Sequence, residues 1–349
     1  MRKRKEEYMC TNFRLTTTDG TIIIGRSMEY ALDLDSHIRI FPKGAQRHSV
    51  APGGTRGLEW TPQYGALGLD IGGFDYCVDG MNERGLTIHA LYLPGYTGYQ
   101  DAAAEREPDQ ALAHLDLPAW ILGNFATVAE VQAALETVRV WGLVVDELKA
   151  VPPLHYAVHD AQGTSLVIEY EEGQLRVYDN PLGVLTNSPP FYWHLINLGN
   201  YLNVRAISTT PVRIADTVLA PPGQGGGFLG IPGDWTPPAR FVRTVAMSQF
   251  AQPAQNAAEG VQLAAHLLNA VDIPKGDIRE QPSDLDQTDY TEWATIWDLT
   301  NRVLFYRSYD NLTLRSIALG QLDLTRDGKQ ARVPVRGGTP AVDVTAALR

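Results

Sequence analysis

A cysteine close to the amino terminus is the residue of this sequence best placed to do chemistry. Cys10 follows a charged leader, Met1 to Met9, and opens a run typical of a strand. Removal of the leader after Met9 would give Cys10 a free α-amine beside its thiol. The reference pKa values, about 8.5 for a thiol and about 7.7–8.0 for an α-amine, allow a proton to pass between them near neutral pH. The position therefore predicts a nucleophile and its base on one residue.

The sequence also supplies a candidate for each further group that such a nucleophile needs. An arginine favours the thiolate, a carboxylate can orient the amine, and amide donors can hold an oxyanion. The turn signal Asp19-Gly20 predicts a hairpin whose second arm pairs back against the strand of Cys10. The candidates are Arg26 and Glu29 on that arm, Asn187 before a Ser-Pro pair, and Arg240 after a Gly/Pro-rich loop. Each also has an ordinary interpretation as a surface charge or a turn residue.

Composition excludes several other classes of protein. The 349 residues carry 29 Lys and Arg against 40 Asp and Glu, a formal net charge of −11, whereas a general nucleic-acid binder needs a basic face. No stretch approaches the roughly 20 apolar residues of a membrane helix. Two cysteines, Cys10 and Cys77, provide no disulfide framework and fit a reducing compartment. We therefore predict a cytoplasmic protein that binds neither nucleic acid nor membrane.

Two further motifs predict no cofactor or metal site. Gly225 to Gly230 matches G-x-G-x-x-G, but flanking prolines prevent the helix that a dinucleotide fingerprint requires. His155 and His159 are four residues apart on a predicted strand and could share one face. A zinc site needs more ligands, and no Cys-x-x-Cys or H-E-x-x-H pattern accompanies them. The sequence thus predicts strand or surface histidines and a flexible or assembly-related loop.

The order of predicted elements favours antiparallel sheets with helices grouped outside them. Strands precede helices twice and then close the chain, which differs from the regular βαβ alternation of a doubly wound fold. Asp79-Gly80 is interpreted as a turn between two apolar runs, at 74–79 and 85–91. Helices are predicted over 109–122 and 127–140, the second with a capping box at Thr127 and Glu130, and a loop over 221–238. No linker is visible, so residues 10–349 are predicted to form one domain.

Taken together, these segments resemble the choloylglycine hydrolases, which include bile salt hydrolases and penicillin V acylases. The resemblance extends over roughly residues 9 to 320. It rests on several motifs in a fixed order: Met9-Cys10-Thr11, Gly25-Arg26-Ser27-Met28-Glu29, Asp79-Gly80-Met81-Asn82-Glu83, Gly183-Val184-Leu185-Thr186-Asn187-Ser188-Pro189, Gly230-Ile231-Pro232-Gly233-Asp234 and Ala239-Arg240-Phe241.

The resemblance implies an N-terminal nucleophile fold, a four-layer αββα sandwich, and a homotetramer whose contacts we expect in the 195–235 insertion. It implies that residues 1–9 are removed by self-cleavage and that Cys10 is the nucleophile, with its own α-amine as base; initiation at Met9 followed by ordinary methionine removal would give the same mature end. Arg26 and Arg240 match the family's active-site arginines, and Asn187 matches the oxyanion asparagine. Tyr92 matches the position whose backbone N–H completes the oxyanion hole. Neither metal nor cofactor is implied.

One position departs from the family pattern, and another bears on the substrate. Glu29 stands where the family usually has Asp, which puts its role in orienting the amine in question. Tyr92 is typical of the penicillin V acylases, as are the segments 152–156 and 273–276. We therefore expect a penicillin V acylase-like amidase for a small anionic amide with an apolar acyl group. The alternatives are a conjugated bile salt hydrolase, an acyl-homoserine lactone acylase and an inactive binding relative.

Overall fold

The computed structural model describes residues 9–31, 33–102, 108–146, 148–279, 281, 283, 288–325, 327–328 and 331–342. Its strands are β1 Met9–Thr16, β2 Ile22–Tyr30, β3 His37–Phe41, β4 Arg47–Val50, β5 Arg56–Trp60, β6 Ala66–Leu69, β7 Asp79–Asn82, β8 Thr87–Tyr92, β9 Ala111–Ala113, β10 Arg139–Trp141, β11 Leu154–His159, β12 Ser165–Glu171, β13 Gln174–Asp179, β14 Val184–Leu185, β15 Val212–Ile214, β16 Thr217–Leu219, β17 Tyr290–Asp298, β18 Val303–Ser308, β19 Asn311–Ala318 and β20 Arg332–Pro334. Its α-helices are α1 Leu117–Asn124, α2 Val128–Leu135, α3 Phe191–Leu198, α4 Pro237–Phe250 and α5 Ala257–Asn269.

The strand of Cys10 lies inside an antiparallel sheet of six strands, in the spatial order β14–β1–β2–β17–β18–β19. The predicted hairpin joins β1 to β2 and places Cys10 opposite Met28. Gly20, at the end of the turn, has a φ of +86°, a conformation that glycine adopts at little cost. The Asp19-Gly20 signal is therefore confirmed, and it fixes the register that brings Arg26 near Cys10.

A second antiparallel sheet packs face to face on the first, in the order β13–β12–β11–β8–β7–β6–β3–β20. Helices α4 and α5 cover the outer face of the six-stranded sheet, and α1 covers the outer face of the eight-stranded sheet. The core lies mainly between the sheets and under these helices. The predicted α+β class, with the four-layer αββα arrangement, is confirmed.

Some local predictions were wrong because tertiary pairing overrides local preference. Asp79-Gly80 is not a turn: both residues belong to β7, and the chain turns at residues 83–85 instead. Residues 111–113 of the predicted first helix form β9, which pairs in parallel with β10, and the helix begins only at Leu117. The second helix ends at Leu135, although its predicted capping box at Thr127 is present.

The Gly/Pro-rich segment forms a loop, as predicted, up to the start of α4 at Pro237. Before it, β15 and β16 form a short hairpin that the sequence did not indicate, and all six of its strand residues are exposed. In the part of the chain that the structure describes, no helix is long and apolar enough to cross a membrane. Within the same residues, no three His, Cys, Asp or Glu side chains are grouped to hold a metal ion.

Candidate active site

The Cys10 side chain is buried between the two sheets, at the start of β1. Its Sγ lies 3.8 Å from Met28 Sδ and 3.6 Å from Arg26 Nη2. Burial raises the pKa of the thiol to about 11, while Arg26, Arg240 and a hydrogen bond from the Tyr92 backbone N–H oppose the rise. With residue 9 still attached, the thiol is thus predominantly protonated at neutral pH.

Arg26 is fully buried beside the thiol because residues 10, 26 and 28 face the same side of the β1–β2 hairpin. Its Nη2 donates to Cys10 Sγ and to the Ala90 carbonyl oxygen. The guanidinium carbon lies 4.9 Å from the centre of the Trp293 ring. Arg26 Nη1 lies 4.0 Å from Asp79 Oδ2. The cation therefore touches the thiol on one side and a buried carboxylate on the other.

Asp79 is the buried counter-charge to Arg26, and three further side chains hold it. His89 Nδ1 lies 2.5 Å from one carboxylate oxygen, which also accepts from Trp297 Nε1 at 3.0 Å. Thr295 Oγ1 donates to the other oxygen at 2.5 Å. Burial would raise the pKa of Asp79, but His89 and Arg26 outweigh it and hold that pKa below its ordinary value. This network explains why Asp79 lies in a strand rather than in a turn.

Arg240 and Asn187 enclose the backbone of Cys10. Arg240 Nη1 donates to the Cys10 carbonyl oxygen at 2.6 Å and to Thr11 Oγ1 at 2.7 Å, and its Nε donates to the Trp235 carbonyl oxygen. Asn187 Oδ1 accepts from Arg240 Nη2 and from the Cys10 backbone N–H, both at 2.8 Å. Helix α4 and the segment after β14 thus meet at the first residue predicted to remain after maturation.

The amide of Asn187 has a defined orientation. Both groups that face its Oδ1 are donors, and its Nδ2 donates to the Tyr92 carbonyl oxygen at 2.8 Å. The Asn187 side chain thus joins Tyr92, on the edge of the pocket, to Cys10. An amide nitrogen carries two hydrogens, so one remains beyond the bond to Tyr92.

Glu29 is close in sequence to Arg26 but lies on the other face of the sheet, since side chains alternate along a strand. It is fully buried, opposite Met9 in register, and accepts a hydrogen bond from Thr291 Oγ1 at 3.1 Å. Its second oxygen, Oε2, has no hydrogen-bond partner among the described residues. Burial raises the pKa of Glu29 to about 7, against the opposing effect of Arg240. The carboxyl therefore titrates near neutral pH.

A pocket of about 770 Å³, including its open mouth, ends at the Cys10 side chain. Among the residues that the structure describes, no charged side chain lines it, and most of the lining side chains are aliphatic or aromatic. Such a pocket suits an uncharged, apolar group bound next to the thiol. Its lining comprises Cys10, Met28, Ile71, Phe74, Tyr76, Val78, Ala90, Tyr92, Leu115, Val145, Leu148, Pro152 and Leu154.

Five of the six predicted site residues contact Cys10 or one another directly: Cys10, Arg26, Tyr92, Asn187 and Arg240. Glu29 lies next to this group, behind the sheet. Residues 1–8 of the predicted leader lie outside the described residues, and Met9 is the first residue of β1.

Sequence reasoning missed Met28 and Thr11 as contacts of the site. Met28 could have been found from strand periodicity, because it follows Arg26 by two residues. The pocket residues 145–154 carry no local signal of their position.

The comparisons with known proteins agree with this geometry. A family model described as linear amide C–N hydrolases, choloylglycine hydrolase family, matches residues 10–333. The chain belongs to the choloylglycine hydrolase family. It is accordingly a hydrolase that acts on linear amides.

The similar proteins are named after two kinds of substrate, bile acid conjugates and penicillin V. A bile salt hydrolase/transferase from Clostridium perfringens is 32% identical over 330 residues, which cover 93% of this chain and 96% of that protein. The crystal structure of a variant of the conjugated bile acid hydrolase from Clostridium perfringens superposes with a TM-score of 0.82 at 29% identity, covering 96% of this chain and 99% of that one. Penicillin V acylase from Agrobacterium tumefaciens superposes with a TM-score of 0.74 at 25% identity, covering 93% and 90%.

Proposed function

We propose that the mature protein begins at Cys10 and hydrolyses an N-acyl amide through a thioester on the Cys10 thiol. The observation that carries this proposal is the convergence of Arg26, Asn187 and Arg240 on one cysteine at the end of an apolar pocket. The start of the family match at residue 10 also supports it. A thiol alone would be a weak nucleophile here, because burial raises the pKa of Cys10 to about 11.

The reaction then proceeds in two steps. The free α-amine of Cys10 takes the thiol proton as sulfur forms a C–S bond to the amide carbonyl carbon. The Tyr92 backbone N–H and the remaining Asn187 Nδ2 hydrogen stabilise the negative oxygen of the tetrahedral intermediate. The α-ammonium returns its proton to the leaving nitrogen as the C–N bond breaks. Water, deprotonated by the same amine, attacks the thioester, and the C–S bond breaks to release the acid and the thiol.

The acyl group is expected to be apolar, since the described side chains that line the pocket are uncharged and mostly aliphatic or aromatic. Penicillin V is our first candidate substrate, and Tyr92 supports it through the resemblance described above. Conjugated bile salts are the second candidate, favoured by the bile salt hydrolase of Clostridium perfringens, which matches 93% of this chain. Any anionic part of the substrate is expected to lie outside the pocket, because burying a charge against the apolar lining would be costly.

We also propose that the chain forms a homotetramer through the β15–β16 hairpin. Val212, Ile214 and Leu219 lie on one face of that hairpin and Val218 on the other, and all four side chains are more than half exposed within the 195–235 insertion. Exposed apolar patches of this kind are typical of protein–protein contacts.

A Cys10→Ala variant tests the mechanism, with Cys77→Ala as a matched control. Cys77 is equally buried but does not line the pocket. Penicillin V, glycocholate, taurocholate and an acyl-homoserine lactone are supplied to each protein, and intact mass gives the first residue. We expect Cys77→Ala to start at Cys10 and turn over one of these amides, and Cys10→Ala to turn over none and to retain its leader. Wild-type turnover by Cys10→Ala would refute the thioester route. Ligand binding without turnover by the wild type would favour the inactive relative.

A further inference from the structure

We propose that His155 and Glu169 form a buried ion pair that positions Asn187 for the reaction. The role rests on the proposed function, because Asn187 matters only if it holds the oxyanion. His155 is one of the two strand histidines that the sequence singled out without a role. It lies on β11 and Glu169 on the neighbouring β12, and both side chains are fully buried.

The hydrogen-bond partners of His155 and Glu169 favour a charged pair. His155 Nε2 lies 3.0 Å from the Thr186 carbonyl oxygen, which can only accept, so Nε2 carries a hydrogen. His155 Nδ1 lies 2.8 Å from Glu169 Oε1, and this contact needs a second hydrogen. Both Glu169 oxygens also accept from the Phe191 backbone N–H, at 3.0 and 3.2 Å, which favours the ionised carboxylate. The second hydrogen therefore belongs to Nδ1, and the ring is an imidazolium.

These hydrogen bonds connect the residue before Asn187 to the first residue of α3. His155 holds the carbonyl of Thr186, the residue just before Asn187. Glu169 holds the first N–H of α3, at Phe191. One turn later on α3, His194 Nε2 donates to the Asn187 carbonyl oxygen at 2.8 Å. The pair thus holds the chain on both sides of Asn187, whose side chain accepts hydrogen bonds from Cys10 and Arg240.

The charges around the pair are few. His194 faces it from α3, and burial lowers the pKa of His194 to about 4, so that ring is neutral. Arg176 lies opposite Glu169 on β13, where it is exposed, and Glu171 lies two residues along β12. The carboxylate of Glu169 is therefore the buried partner of the imidazolium.

His159 provides a matched comparison on the same strand. It is also fully buried and lies four residues from His155, so the two rings share one face of β11. It contacts Ser165 Oγ and Asn12 Oδ1, each at 2.7 Å, and no carboxylate of the described residues. Burial lowers the pKa of His159 well below its ordinary value. We therefore expect a neutral ring at His159 and a charged ring at His155, so His159 serves as an internal control for the protonation state of His155.

Neutron crystallography of the wild-type protein at pH 7 tests the charge state without relying on activity. We expect hydrogen on both ring nitrogens of His155 and on only one of His159. A single hydrogen on His155, or a hydrogen on a Glu169 oxygen, would overturn the ion pair. This result stands whether or not Cys10 proves to be the nucleophile, because no turnover enters the measurement.

Kinetics test the positioning role. Glu169→Ala should lower kcat about 10²-fold, the loss expected from a 1 Å misplacement of a catalytic group, with a much smaller change in KM. Glu169→Gln should restore most of kcat, because its amide can donate to a singly protonated His155 and its oxygen can accept from Phe191. His159→Asn, a buried substitution away from Asn187, should leave kcat unchanged. Wild-type kcat in folded Glu169→Ala, or equal losses in Glu169→Gln and Glu169→Ala, would refute the positioning role. If Glu169→Ala does not fold, the same comparison is made with His155→Gln, for which wild-type kcat would equally refute that role.

Discussion

Replacing Glu29 with Gln is expected to change how stability depends on pH. Glu29 is fully buried, it accepts a hydrogen bond from Thr291, and burial raises its pKa from 4.5 to about 7. A glutamine has nearly the same shape and cannot ionise. The substitution therefore removes the titration while it leaves the packing nearly intact.

The magnitude follows from linkage. Because the folded carboxyl holds its proton more tightly than the unfolded one, Glu29 stabilises the fold fully below about pH 4.5. This contribution is lost as pH rises to about 7. One pKa unit corresponds to about 1.4 kcal/mol, so the interval from 4.5 to 7 corresponds to about 3 kcal/mol. Relative to its parent, the Gln variant should thus gain about 3 kcal/mol in unfolding free energy between pH 4.5 and pH 8.

The assay is urea unfolding at both pH values, followed by tryptophan fluorescence at one protein concentration. Both proteins carry Cys10→Ala, and intact mass verifies that they start at the same residue, because a free ammonium at residue 10 would lower the pKa of Glu29. Glu136→Gln, an exposed substitution at the end of α2, is the control and should show no such gain. Parallel pH dependence of the Glu29→Gln protein and its parent would refute the reasoning, since a carboxyl that titrates as in the unfolded chain contributes nothing.

Three other outcomes are expected. Arg240→Lys should lower kcat about 10²-fold, because an ammonium cannot make the guanidinium's separate bonds to the Cys10 backbone and to Asn187; steady-state kinetics with wild-type KM and kcat would contradict this. Gly25→Ala should destabilise the fold by about 1–3 kcal/mol, since the new Cβ would lie 2.2 Å from the Phe13 ring, and an unchanged urea midpoint would oppose it. Ile214→Ser should shift the assembly toward smaller species in sedimentation velocity, and an unchanged sedimentation coefficient would argue against the hairpin contact.

Local signals were sufficient for the elements whose geometry is set by neighbours in sequence. The Asp19-Gly20 turn fixed the β1–β2 hairpin, and Thr127 capped α2 as predicted. Local signals failed at Asp79-Gly80, where a dipeptide typical of turns instead supplies a strand carboxylate for Arg26. The partners that stabilise the buried Asp79 carboxylate include Arg26, Thr295 and Trp297, which are too distant in sequence for a local pattern to reveal them.

The meeting of Cys10 with Asn187 and Arg240 could not be derived from spacing. These residues are 177 and 230 positions from Cys10, and their contacts depend on β14 and α4 packing beside β1. The resemblance to the choloylglycine hydrolases identified them, because it compares whole motifs and not local preferences. It included His155 in a matching segment but gave no role to His155 or Glu169, whose pairing is visible only in the structure.

Arg26 and Glu29 are close in sequence, but the alternation of side chains along β2 places them on opposite faces of the sheet, since they are three residues apart, an odd number. The thiol of Cys10 therefore shares its face with Arg26, whereas Glu29 lies on the face covered by α4 and α5. A side chain on the helix face cannot reach the thiol through the sheet. The backbone nitrogen of Cys10 lies in the plane of the sheet, between the faces, so a free amine there is within reach of the thiol and accessible to groups behind it. The proposed mechanism therefore uses the amine of Cys10 as its base, and Glu29, where the family usually has Asp, lies on the side of that amine away from the pocket.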